Sequence, residues 1–128
     1  MKVHDVKAEI GDAPEALRRA AAALGAAAVR IRAMATEGGR LRLLPDDPER
    51  AIAALAEAGI EAWIGAAIAV PIGDRPEALS EVLEKLAAEG VRVEAVYTGS
   101  SDPAGRPVGI LVVSDLDAAL RIVGGRST

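Results

Sequence analysis

Hydrophobic and polar residues alternate from Val3 to Ile10. Val6, Ala8 and Ile10 fall on one side and Asp5, Lys7 and Glu9 on the other, the pattern of a half-buried strand. The period then changes. Leu17, Ala20, Ala21, Leu24 and Ala28 recur at helical spacing, predicting a helix that runs to about Ala27 and is weakened near its end by Gly25. Asp12 is the expected N-cap, with Pro14 in the first turn and Glu15 three residues after the cap. Alternation returns at Val29, Ile31 and Ala33, and again at Leu41 and Leu43, with arginines between. Glu37-Gly38-Gly39 separates these two strands as a hairpin turn. Asp47 caps a second helix with Pro48 at its first position, Ile52, Leu55 and Ala56 inside, and Gly59 as its left-handed end. Ile60, Ala62 and Ile64 open a fourth strand, completing the order βαββαβ.

The plan then repeats. Ile60, Ala62, Ile64, Ala66, Ile68, Val70 and Ile72 stay in phase, so the last strand of the first unit is expected to run through a kink at Gly65 into the first strand of the second. Asp74 is the expected cap of a helix built on Leu79, Val82, Leu83 and Leu86, ending at Gly90. Val91, Val93, Ala95 and Tyr97 line one face of a strand, residues 99–107 form a loop, and Val108, Ile110 and Val112 return. Asp115 caps a short helix through Ile122, stopped by Gly124-Gly125, and no final strand follows. The expected fold is α+β: two ferredoxin-like repeats packed together, residues 1–66 and 67–128, the second lacking its last strand. That leaves the first strand of the second unit at an edge. The strand-to-helix turn itself occurs twice, as Ile10-Gly11-Asp12-Ala13-Pro14-Glu15-Ala16-Leu17 and Ile72-Gly73-Asp74-Arg75-Pro76-Glu77-Ala78-Leu79, about 62 residues apart.

Composition narrows the function. Fifteen basic against 19 acidic side chains give a net charge of −4, which argues against nucleic acid as a partner. No apolar run reaches membrane-spanning length, and no signal peptide is recognisable, so a soluble cytoplasmic protein is expected. With no Cys there is no disulfide, thiolate chemistry or Cys-based metal site. With no Phe, one Trp and one Tyr, the core rests on small and branched aliphatics. Each unit alone is then thin in core, and association offsets that.

Asp12, Pro14 and Leu17, with Asp74, Pro76 and Leu79 in a tandem βαββαβ chain of this length, resemble the small two-domain ACT proteins. Asp47-Pro48 and Ala58-Gly59-Ile60 also fit. The resemblance implies a regulatory protein that binds an amino acid or other small carboxylate effector at the inter-domain or dimer interface. It places ligand contacts at the two turns: Gly11, Asp12, Ala13, Pro14, Glu15, Ala16 and Leu17, and Gly73, Asp74, Arg75, Pro76, Glu77, Ala78 and Leu79. The family has Gly directly after the Pro, leaving backbone N–H groups open at a helix N-terminus. Glu15 and Glu77 stand there instead, adding bulk and a competing carboxylate, so amino-acid binding is expected to be altered or lost.

Other groups have plainer readings. The two turns are also ordinary helix caps. Arg30, Arg32, Arg40 and Arg42 share an open face with Asp5, Lys7, Glu9 and Glu61 and are expected to pair across strands. Trp63 has the parity of that face and suits burial in a contact; Tyr97 reads as core, and His4 as a strand-end residue. Ala67, Ala69, Val96, Leu111 and Val113 form an apolar open face on the second sheet, which needs covering. No phosphate loop, triad, cofactor motif or metal spacing is present. The expected state is a homodimer. Beside the effector-binding reading stand an oligomeric interaction module without ligand, working through the apolar face and free edge, and a small enzyme with Asp12, Glu15, Asp74 or Glu77 as acid or base.

Overall fold

The computed structural model describes residues 1–73, 75–100 and 105–124. In chain order the elements are β1 (Lys2–Val3), β2 (Val6–Glu9), α1 (Pro14–Ala26), β3 (Ile31–Glu37), β4 (Arg40–Pro45), α2 (Pro48–Glu57), β5 (Ala62–Ile64), β6 (Ala67–Pro71), α3 (Ala78–Ala88), β7 (Val93–Ser100), β8 (Pro107–Val113) and α4 (Leu116–Gly124). They form two compact units, His4–Gly65 and Met1–Val3 with the chain from Ala66 onward.

In the His4–Gly65 unit the strands are antiparallel in the order β3-β4-β2-β5, the ferredoxin-like arrangement. The β3–β4 hairpin turns on Gly38 (φ 59°) and Gly39 (φ 79°), the pair of positive φ angles that a two-residue type I′ turn requires. Val6, Ala8, Leu41 and Leu43 pack against Ala20 and Leu24 of α1 and Ala51 and Leu55 of α2. Asp47 caps α2 as its sequence predicts, its carboxylate accepting from the Arg50 N–H at 3.1 Å, and Gly59 ends it at φ 79°. Arg19 Nη2 of α1 donates to the Ala58 carbonyl at 2.8 Å, satisfying an acceptor at the C-terminus of α2.

Several expectations need correction here: Ala21 and Ala28, also placed on the α1 stripe, and Ala56, placed inside α2, are exposed. Leu17, placed on the core stripe of α1, is 38% exposed; Ala16 is buried instead. Asp5, placed on the open face, is only 3% exposed. Its carbonyl accepts from Gly65 N–H at 2.8 Å, and a Cβ on Gly65 would come within 2.9 Å of its Oδ1. A side chain at residue 65 would therefore collide with a buried carboxylate. The chain breaks there between β5 and β6 rather than continuing as one strand.

In the other unit the order is β1-β6-β8-β7, again antiparallel. The second repeat ends in α4 without a strand of its own among the described residues. The place beside β6 is filled from the chain's first residues: Lys2 lies opposite Ile68 and Val3 opposite Ala67. The Met1 ammonium donates to the Ala69 carbonyl at 3.2 Å, and Ala69 N–H to the Met1 carbonyl at 2.8 Å. The edge expected to be free is thus occupied up to Ala69.

The core of this unit joins Ile68, Val70 and Leu111 to Val82, Leu86 and Ala119 of α3 and α4. Leu111 and Val113, not Ile110 and Val112, belong to this helix-packed cluster, which reverses the face expected for β8. Ala67, Ala69, Val108 and Ile110 are buried as well, so β6 and β8 are covered on both faces. Of the apolar face expected to be open, Ala67, Ala69 and Leu111 are buried and only Val96 is strongly exposed, at 42%. Asp115 caps α4, accepting from Ala118 N–H at 3.0 Å.

Candidate functional site

The two copies of the strand-to-helix turn have different surroundings. In the first, Gly11 takes φ 76° and the amides of Ile10 and Gly11 both donate to the Gly39 carbonyl, at 2.7 and 3.1 Å. A Cβ on Gly39 would meet Asp12 Oδ1 at 3.0 Å and the Gly11 backbone at 3.1 Å. This corner is pressed onto the β3–β4 turn. Its N-cap residue is Ala13, with no side-chain cap, so Asp12 does not fill the role its position suggests. Glu15 does not reach back to the helix end either: it pairs with Arg18 at 3.0 Å along the exposed flank of α1.

The second corner differs in one residue, Arg75 where the first has Ala13. Asp74 lies outside the described residues. Gly73 has φ 48°, and α3 begins after Glu77, which gives no side-chain cap. Arg75 Nε donates to Glu77 Oε1 at 3.3 Å and Nη2 to Glu81 Oε2 at 2.7 Å. Glu81 first, and Glu77 with it, raise the guanidinium above its ordinary pKa, so it is a permanent cation held by two carboxylates. Glu15 and Glu77 are each paired with an arginine beside them.

A cavity of about 620 Å³ opens beside this second corner, wholly within the unit that holds β6, α3 and α4. Val70, Pro71, Val82, Leu120 and Val123 give it an aliphatic wall, and among the described residues Arg75 and Glu81 are the charged side chains that line it. Ala78 lines it too, whereas residues 11–17 of the first corner contribute nothing to it. Leu79 turns the other way, toward Gly109 of β8, where a Cβ would stand 3.4 Å from its Cδ1. Sequence reasoning reached Arg75 and Ala78 but not Leu120, Val123 or Pro71, whose apolar character reads only as core. The one usable signal was the Ala13/Arg75 difference between otherwise identical turns.

The four arginines of the first sheet do not form one cluster. Arg40 donates to Glu9 at 3.1 Å; Arg30 and Arg32 both pair with Asp46. Arg42 stands opposite Lys7, and Lys7 opposite Trp63. Trp63 is 45% exposed and Tyr97 is buried. Among the described residues no three His, Asp or Glu side chains converge as a metal site, and no helix is long and apolar enough to cross a membrane.

No protein-family model and no curated protein sequence matches the chain. Solved structures do. Protein BT0572 from Bacteroides thetaiotaomicron superimposes with a TM-score of 0.85 at 21% identity, over 99% of this chain and 90% of that one. The regulatory subunit of aspartate kinase from Thermus thermophilus, in its ligand-free form, gives 0.61 at 22% identity over 96% and 90%. The corresponding subunit from Thermus flavus gives 0.59 at 19% identity over 98% and 92%.

Proposed function

On this tandem ACT-like fold, we propose that the protein is a regulatory one that binds a small carboxylate effector, an amino acid or a related acid, at its second corner. The observation that carries the reading is Arg75: a cation present in one copy of the turn only, lining the cavity. Guanidinium groups bind carboxylates through paired N–H donors, and Arg75 keeps donors beyond the two it shares with Glu77 and Glu81. The two Thermus subunits with this fold are regulatory subunits of aspartate kinase, the Thermus thermophilus one in a ligand-free form. The first corner, closed onto Gly39, is a structural turn in this reading.

A thermal-shift screen of amino acids and small carboxylates at millimolar concentration tests it, since a ligand of the native state raises Tm by mass action. At least one compound is expected to raise Tm in the native chain and to lose that effect in Arg75→Ala. A flat screen overturns the reading.

A second reading has its own support. Trp63 and Ile64, each 45% exposed, stand on opposite faces of β5, which among the described residues pairs with β2 alone and ends the sheet. Large exposed apolar side chains on an edge strand favour a homodimeric interaction surface. For the enzyme reading, two of the carboxylates it invokes, Glu15 and Glu77, are exposed and paired with arginines.

A further inference from the structure

The cavity beside α3 and α4 lies next to the β1–β6 ladder, whose Met1–Ala69 pair is followed on β6 by Val70 and Pro71, both of which line it. Another strand cannot simply extend the ladder. The next position on that edge after Ala69 is Pro71, which has no N–H to donate. The space suits a small molecule, not a peptide backbone, and its size and mostly apolar wall are those of small-molecule sites in general.

We propose that this cavity binds an aliphatic monocarboxylate, its alkyl chain against Val82, Leu120 and Val123 and its carboxylate on Arg75. The proposal rests on the reading of the second corner as a carboxylate-binding corner and names the ligand class. No ammonium group is needed: among the described residues Glu81 is the one carboxylate in the wall, and Arg75 already engages it at 2.7 Å. That ion pair is solvent-exposed on both sides and therefore weak, so an incoming carboxylate displaces Glu81 at little cost. The positive end of α3, whose Ala78 lines the same space, favours the anion further.

Calorimetric titration of the full chain with acetate, butanoate, hexanoate, hexylamine, leucine and 4-methylpentanoate tests the assignment. Affinity is expected to rise with chain length from acetate to hexanoate, with hexylamine inert. Arg75→Gln is expected to weaken hexanoate about tenfold or more, the loss of a charge-assisted pair. Glu81→Gln is expected to strengthen it about two- to fivefold by freeing the guanidinium. Ala78→Leu, which narrows the cavity from a half-exposed helix position, is expected to weaken hexanoate more than acetate. Chain-length independence overturns this proposal while leaving the carboxylate reading intact. Leucine binding well above 4-methylpentanoate, or hexylamine binding that Glu81→Gln abolishes, also overturns it. If no carboxylate binds at all, the reading it rests on falls as well.

Discussion

Asp12 and Asp47 occupy equivalent sequence settings, an Asp shortly before a Pro at a helix start, yet only one works as a cap. Asp47 immediately precedes Pro48 and accepts from Arg50 N–H. Asp12 lies one residue further back, leaving Ala13 at the N-cap. Asp47→Ala should therefore cost about 1 kcal/mol in chemical denaturation, and Asp12→Ala less than about 0.5 kcal/mol. Capping legibility thus stopped at a single-residue offset that propensity does not resolve. The glycines of the hairpin divide in a similar way. Both have positive φ, but a Cβ on Gly38 meets nothing whereas one on Gly39 meets Asp12 and the Gly11 backbone. Gly38→Ala should cost about 1 kcal/mol from backbone strain alone, and Gly39→Ala about 2–3 kcal/mol, with the first corner visibly perturbed in amide NMR shifts.

Every helix and nearly every strand was legible from periodicity, because α1, α2, α3 and α4 each keep a polar side and their turns carry Gly or Pro. Facing was not. β6 and β8 are buried on both sides, so Val108, Ile110 and Leu111 give no alternation to read, and the shift in pairing between Val93 and Ala95 changes the phase of β7 partway along. β1 was hidden for a different reason: no Gly or Pro stands between Val3 and Val6, and the slip of phase that puts Val3 on the side of Asp5 and Lys7 is the single local sign of a second strand. Removing residues 1–3 should expose the β6 edge. The Ala69 amide, protected by the Met1 carbonyl, is then expected to exchange on the order of tenfold faster, and the urea midpoint to fall. An unchanged Ala69 exchange rate would mean that β1 contributes no protection. Within the same unit, Leu86→Ala removes a fully buried side chain and is expected to cost about 2–5 kcal/mol.

At the scale of the molecule, the duplicated turn announced the fold, and the fold match across solved structures agrees with it. What duplication did not announce was divergence: one corner closed on a hairpin, the other carrying Arg75 beside an aliphatic cavity. Association belongs to this scale too. If β5 is the contact, Trp63→Asp should convert a dimer to a monomer on native sizing, with little change in far-UV circular dichroism, because Trp63 is already half in solvent. The division of the chain also has a mechanical consequence. Met1–Val3 and the chain from Ala66 onward belong to one unit, so His4–Gly65 is spliced into it as an insert. Tension applied through Met1 and Gly124 is therefore borne by the host unit first, and the insert is slack until Lys2 and Val3 peel from Ile68 and Ala67. A stretched molecule should therefore give up the β1–β6 pairing before any load reaches His4–Gly65.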